Sequence, residues 1–216
     1  MYDAYLFDLD GTLIDTAPDL HFALNKTLAK WQHPTATLQL ARRWVGHGAK
    51  AMITNALLNE SQKTPDEQVV EAMYLDFLEY YKADIANVGQ PYPSVRLVIQ
   101  YLFRRKTRLG VVTNKRFDLT TILFQKLNLS NFFEVIVGGD TLTEQKPSPK
   151  PIEYACMKLH SNPSNTLYIG DSRTDVLSAR AAGCPVVLVP YGYNDDLPVT
   201  TLGADKVIHS FLELIE

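Results

Sequence analysis

The stretch YLFDLDGTLIDT, residues 5–16, decides the fold. With Ala4 it opens on a short apolar run, 4–7, that leads straight into Asp8, Asp10 and Gly11. A run of this length and composition reads as a buried strand. Asp8 and Asp10 lie two apart, so in extended chain they project to the same side. Like charges placed that close repel, and burying them costs more still. The arrangement calls for a cation, and hard carboxylate oxygens suit Mg²⁺.

Further short apolar runs, rich in β-branched and aromatic residues, recur at 109–113, 135–137, 167–169, 186–189 and 206–208. Most are continuously apolar, as in strands covered on both faces of a parallel sheet. Helical patterns lie between them. Pro151 opens one, with Ile152, Ala155, Cys156 and Leu159 on a single stripe. Another spans 174–182 and stops at Gly183. The alternation predicts an α/β fold, a Rossmann-like doubly wound parallel sheet.

Residues 16–87 break this rhythm. Thr16 and Asp19 have the spacing of a capping box, and Leu20, Leu24, Leu28 and Trp31 repeat every three to four residues. Thr64-Pro65-Asp66-Glu67 reads as a second helix start with Thr64 as N-cap, before a stripe of Val70, Met73, Phe77 and Tyr81. The expectation is an all-helical subdomain, 16–87, inserted into an α/β core of 1–15 and 88–216. Its joints fall near 14–16 and in NVGQPYPS, residues 87–94. Asp15 sits at the first joint.

Composition narrows the function classes. The 216 residues are 46% hydrophobic, enough for a sizeable core, and the net charge of −3 is unlike that of a general nucleic-acid binder. Two cysteines, Cys156 and Cys184, form no close-spaced pair and read as packing residues. No apolar run approaches the roughly 20 residues of a membrane helix, and no basic segment leads into an apolar run at the N-terminus. These features predict a cytoplasmic protein with a small-molecule partner, neither nucleic acid nor membrane. Monomer and homodimer remain equally open.

Chemistry gathers at strand ends. The run at 109–113 ends in Thr113-Asn114-Lys115, and that at 167–169 runs into Gly170-Asp171-Ser172-Arg173-Thr174-Asp175. Lys146 lies between them in EQKPSPKP. Ligands of open parallel sheets bind beyond the carboxyl ends of the strands, so these segments should converge. Asp8 and Asp171 have the chemistry to hold a metal. Gly11 lets backbone N–H groups turn toward phosphate oxygens. Lys146 offers fixed positive charge. The Thr113 hydroxyl and Asn114 amide either bind a phosphoryl oxygen or cap the helix that follows.

DLDGT, TNK, KPxP and GDSxxD, in this order and with a helical insertion after the first, resemble the haloacid dehalogenase superfamily of phosphohydrolases. WVGHGA, YPSV, VVTNK, GGDTL and GDSRTDVLSARAAGCPVVLVPYGY look like its phosphoglycolate phosphatase branch. Ser94 departs from a glycine expected in that branch, and His47 from an asparagine. The resemblance implies that Asp8 is the nucleophile and forms an aspartyl-phosphate. Asp10 would protonate the leaving oxygen and then activate water. Asp8, the Asp10 carbonyl and Asp171 would hold Mg²⁺, with Asp175 steadying it directly or through water. Gly11, Thr113, Asn114 and Lys146 would bind the phosphoryl group. The insertion would be a cap that excludes water.

The implied activity is Mg²⁺-dependent hydrolysis of a small phosphorylated metabolite, 2-phosphoglycolate first. Sugar phosphates, pyrophosphate, nucleotides and a sugar phosphomutase reaction are the alternatives. Asp10 argues against dehalogenase and phosphonate-cleaving chemistry. In the insertion, His47 lies between Gly46 and Gly48, either against substrate or in a plain turn. Arg43 and Lys50 flank it, either to attract an anion or as a solvated face. Tyr191 and Tyr193 read as packing residues.

Overall fold

A computed structural model describes residues 2–46, 48–194 and 197–216. The chain divides into two compact units, Met1–Asp15 with Gln90–Glu216, and Thr16–Gly89.

The first unit is built on a six-stranded parallel sheet. Its strands are β1 (Ala4–Phe7), β4 (Arg108–Val112), β5 (Val135–Val137), β6 (Thr166–Gly170), β7 (Val186–Leu188) and β8 (Lys206–Val207), in the order β5-β4-β1-β6-β7-β8. Every apolar run singled out above is a strand, to within two residues at either end. β1 is central, with Phe7 opposite Val111 on one side and Ile169 on the other. Side chains alternate across it as a pleated strand requires. Ala4 and Leu6 enter a core with Ile152, Cys156, Tyr168 and Val176, from α7 (Lys150–Lys158), β6 and α8 (Arg173–Ala182). Phe7 instead packs against Phe133 and Phe211.

Two short strands had no signal in the sequence. β2 (Ile14–Asp15) and β3 (Gln90–Pro91) pair antiparallel at the joints of the insertion. Asp15 thus lies in a strand. After β3, α5 (Val95–Arg104) opens on Ser94 at φ +66°. That left-handed conformation costs an L-residue roughly 1–2 kcal/mol, which is why glycine is the residue expected there.

In the second unit, α1 (Ala17–Lys30), α2 (Leu38–Trp44), α3 (Ala49–Ser61) and α4 (Glu67–Asp84) follow one another. The stripes of α1 (Leu20, Leu24, Leu28) and α4 (Val70, Met73, Phe77, Tyr81) are buried as expected. Three details differ. No capping box forms at Thr16: the buried Asp19 carboxylate accepts from the N–H groups of Val88 (2.9 Å) and Gly89 (3.0 Å), tying the two ends of the unit together. α4 is capped by Asp66, which accepts from Gln68 N–H at 2.7 Å. A carboxylate at that place adds charge to the hydrogen bond at the positive end of the helix, and Thr64 lies outside. Trp31 ends α1 and donates its ring N–H to Asp76 at 2.8 Å.

Candidate active site

The carboxyl edge of the sheet carries the chemistry. Asp8 continues β1, its N–H held by the Ile169 carbonyl at 2.8 Å. The chain then turns through Leu9, whose carbonyl accepts from Thr12, Leu13 and Ile14. Gly11 sits at φ +89°, and a side chain there would strike the Asp171 carboxylate. Its left-handed conformation and that close approach both call for glycine.

Lys146 and three carboxylates meet beyond β1 and β6. The Lys146 ammonium donates to Asp8 Oδ1 (2.8 Å), Asp175 Oδ1 (2.6 Å) and the Tyr168 hydroxyl (2.9 Å). Asp175 belongs to α8, where it forms a capping box with Ser172. Its Oδ2 accepts from Ser172 Oγ (2.7 Å) and from the N–H groups of Asp171 (3.2 Å) and Ser172 (3.0 Å). Asp171 accepts from Thr12 Oγ1 (2.7 Å) and from Tyr193 N–H (2.5 Å). Asp8, Asp171, Asp175 and Lys146 are all buried.

The electrostatics show a cluster short of positive charge. Burial pushes the Asp8 carboxyl up to about 7, against the pull of Lys146 and with a further push from Asp175. Burial, then the charges of Asp175 and Asp8, lift Asp171 well above the carboxylate range. Burial opposes charge at Asp175 too, but Lys146 and the Ser172 hydrogen bonds outweigh it and hold Asp175 low. Burial also opposes the Lys146 charge, yet Asp175 and Asp8 keep it well above its usual value. Ligand oxygens of Asp8, Asp171 and Asp175 lie within 4.8 Å of one another. Three hard oxygen donors, two of them strained by uncompensated charge, fit a divalent metal ion.

A pH dependence follows. Asp8 and Asp171 keep protons in the folded protein at pH values where the unfolded chain, near 3.8, has lost them. Their contribution to metal-free stability is therefore full below about pH 4, and the Asp8 part is lost as pH rises through about 7, while that of Asp171 is lost well above the carboxylate range. A metal competes with those protons, so its affinity falls as pH drops below 7 by about tenfold per pH unit for each proton it must displace. Thermal unfolding with chelator and with Mg²⁺ should show a metal-induced gain in Tm that grows from pH 5 to pH 8. A gain independent of pH would contradict this electrostatic description.

Asp10 adjoins the cluster and is paired with Lys115, Nζ lying 3.1 and 3.3 Å from its two oxygens. Lys115 stands in the TNK motif, and nothing in the local sequence pattern points to this partner. Thr113 and Asn114 do not cap the next helix. α6 (Phe117–Lys126) starts three residues beyond Asn114, and Asp140 accepts the Phe117 N–H at 2.7 Å. The Thr113 oxygen accepts from Lys115 N–H at 3.1 Å. The Asn114 amide clasps the Lys146 peptide, donating to its carbonyl (3.1 Å) and accepting its N–H (3.0 Å).

Tyr191 and Tyr193 do more than pack. The Tyr193 hydroxyl donates to Asp15 (2.6 Å) and that of Tyr191 to the Thr12 carbonyl (3.2 Å), with the Tyr191 ring against Tyr92. The loop after β7 therefore holds the turn that carries Asp10 and Gly11. Arg43 and Lys50 belong to the second unit, on α2 and α3. There Lys50 pairs with Glu71 at 2.5 Å and lies over the Tyr74 ring. His47 lies outside the described residues.

Acidic groups at the carboxyl edge of this sheet, braced by a buried lysine, are the setting in which family membership becomes meaningful. A family model of haloacid dehalogenase-like hydrolases matches residues 5–189, and the chain belongs to that family. A phosphoglycolate phosphatase of Caulobacter vibrioides is 41% identical over 208 residues, covering 96% of this chain and 87% of that protein. One from Haemophilus influenzae is 35% identical over 212 residues, covering 97% and 95%. Among solved structures, a predicted phosphoglycolate phosphatase from Haemophilus somnus superposes with a TM-score of 0.93 at 31% identity, covering 99% and 96%.

Proposed function

We propose that the protein is a Mg²⁺-dependent phosphatase of small phosphate monoesters, with 2-phosphoglycolate its first substrate. The observation that carries this reading is the Asp8 carboxylate at the end of the central strand, set between Lys146 and Asp171 with Asp10 two residues on. The phosphoglycolate phosphatases to which the chain is similar support the substrate.

In this reading an Asp8 oxygen attacks phosphorus and the ester P–O bond breaks. Asp10 gives its proton to the leaving oxygen. Asp10 then takes a proton from water, the water oxygen attacks phosphorus, and phosphate leaves while the Asp8 carboxylate is restored. Lys146 and the Thr113 hydroxyl neutralise the phosphoryl oxygens. The Gly11 N–H, expected to take part, is instead held by the Ile14 carbonyl at 3.0 Å, so Gly11 serves through its turn and its close approach to Asp171. Asn114 contributes by holding the Lys146 peptide in place. Asp8, Asp171 and the Asp10 carbonyl would hold Mg²⁺, and Asp175 would steady the site chiefly through Lys146. The bound ion supplies positive charge against the phosphoryl oxygens and relieves the carboxylate repulsion. Unit Thr16–Gly89 is the cap in this reading and, with His47, Arg43 and Lys50, the place of substrate choice. The free thiols Cys156 and Cys184 suit a cytoplasmic, reducing setting.

The test is phosphate release from 2-phosphoglycolate beside a panel of sugar phosphates, nucleotides and pyrophosphate, with Mg²⁺ and with chelator. Metal-dependent preference for 2-phosphoglycolate is the expected result. A peak on another ester keeps the chemistry and moves the substrate. Absence of release from every compound overturns the reading.

A further inference from the structure

We propose that Lys115 is a positioning residue for Asp10, holding its carboxylate in line with the leaving oxygen. The proposal rests on the phosphatase reading above and adds a residue to it.

The observation is a two-pronged ion pair between the buried Lys115 and the partly buried Asp10. Lys115 Nζ lies 3.1 and 3.3 Å from the two Asp10 oxygens. The side chains are 4% and 12% exposed, so the pair is little screened by water. Val111 and Phe7 share a rung of adjacent strands, so Lys115 and Asp10 stand four and three residues beyond it. A four-carbon lysine stem spans the roughly 4.8 Å between neighbouring strands.

The lysine is itself fixed. Its N–H donates to Thr113 Oγ1 (3.1 Å), and its carbonyl accepts from Gly139 N–H (2.8 Å). A side chain at Gly139 would strike the Asn114 carbonyl, so this turn is packed directly against the next loop. Lys115 therefore projects from fixed backbone, and the turn that carries Asp10 is itself held, so the pair aligns the Asp10 side chain rather than its backbone. Asp8 also repels Asp10. An ammonium on the far carboxylate opposes that repulsion and fixes the orientation of the acid. Positioned groups lose efficiency steeply when misaligned, even where no contact with substrate is lost.

A residue that acts through a general acid has a signature a structural residue lacks: its effect depends on the leaving group. An alkoxide needs the proton from Asp10 and p-nitrophenolate does not. With Mg²⁺ present, Lys115→Met is expected to lower kcat/KM for 2-phosphoglycolate by about 100-fold, within the range of general acid catalysis. The loss on p-nitrophenyl phosphate should stay under about tenfold. Placed in Asp10→Asn, Lys115→Met should add less than about twofold, since the two act as a unit. Equal losses on both substrates, or additive losses in the double variant, would overturn the proposal.

If Lys115→Met alone does not fold, Lys115→Arg and the double variant decide the matter. Lys115→Arg keeps the charge and should retain the leaving-group pattern of the wild type. Lys115→Met/Asp10→Asn removes both charges and should fold. A folded Lys115→Arg that loses both substrates equally overturns the proposal. Wild-type protein inactive on every ester overturns the phosphatase reading itself, whereas wild-type turnover with a uniform loss in the variants overturns only the role of Lys115.

Discussion

Asp8→Asn is expected to abolish turnover and leave the protein folded. The amide matches the carboxylate in size, so the end of β1 keeps its packing, and the carbonyl oxygen can still accept from Lys146, now 2.8 Å from Asp8 Oδ1. What is lost is the nucleophile. The drop in kcat should be at least about 10³-fold, as for other enzymes that lose their covalent catalyst. Stability should move the other way. Asp8 is held near 7 because burial and Asp175 disfavour its charge, so a neutral side chain removes a repulsion that the metal-free protein bears at pH 8. Without metal, the variant should melt above the wild type at that pH, and the gain should shrink toward pH 4. Phosphate release at more than a few percent of the wild-type rate would remove Asp8 from the nucleophile's role.

Lys146→Met should be the most damaging single change to stability. The ammonium contacts Asp8, Asp175 and Tyr168, all buried. Methionine fills much the same volume but leaves Asp8, Asp171 and Asp175 facing one another without it. Breaking a buried pair by removing one partner costs about 3–5 kcal/mol. The cost should be largest at pH 8 and smaller at pH 5, where Asp8 takes up a proton, and a divalent cation should recover part of it. Urea unfolding at the two pH values, with and without Mg²⁺, measures this. A variant as stable as wild type at pH 8 would mean that Lys146 does not compensate the cluster.

The parts of this molecule that were legible in sequence are those a local pattern determines. Six apolar runs became the strands of one sheet; those at its centre are apolar throughout because a strand buried on both faces has to be, while the edge strands β5 and β8 are only partly covered. Asp8 and Asp171 came together because residues just past the carboxyl ends of neighbouring parallel strands share one edge, and Lys146 and Asp175 reach that edge from the loop after β5 and the first turn of α8. The stripes on α1 and α4 were visible at helical spacing. What stayed hidden depends on partners far away in the chain. Tyr193 reaches Asp15 across 178 positions and Lys115 reaches Asp10 across 105, and neither side chain carries a sign of its direction. Thr16 and Asp19 had the spacing of a capping box, but Asp19 found two backbone donors at the other end of its unit. The β2–β3 pair is too short for any periodicity to reveal. Asn114 was legible as a polar group at a strand end, but the sequence could not show that its amide clasps the Lys146 peptide.

Trapping the covalent intermediate tests the central claim most directly. Phosphorus-labelled 2-phosphoglycolate, or whichever ester of the panel turns over fastest, would be mixed with Mg²⁺ and protein and quenched in acid within the first turnover. The wild type and Asp10→Asn, in which breakdown is slowed, would be run side by side. Label should travel with the protein, be released by hydroxylamine as expected of an acyl phosphate, and map to the peptide carrying Asp8. Label on a different residue, or turnover persisting in Asp8→Asn, would contradict the assignment of Asp8 as the group that accepts the phosphoryl.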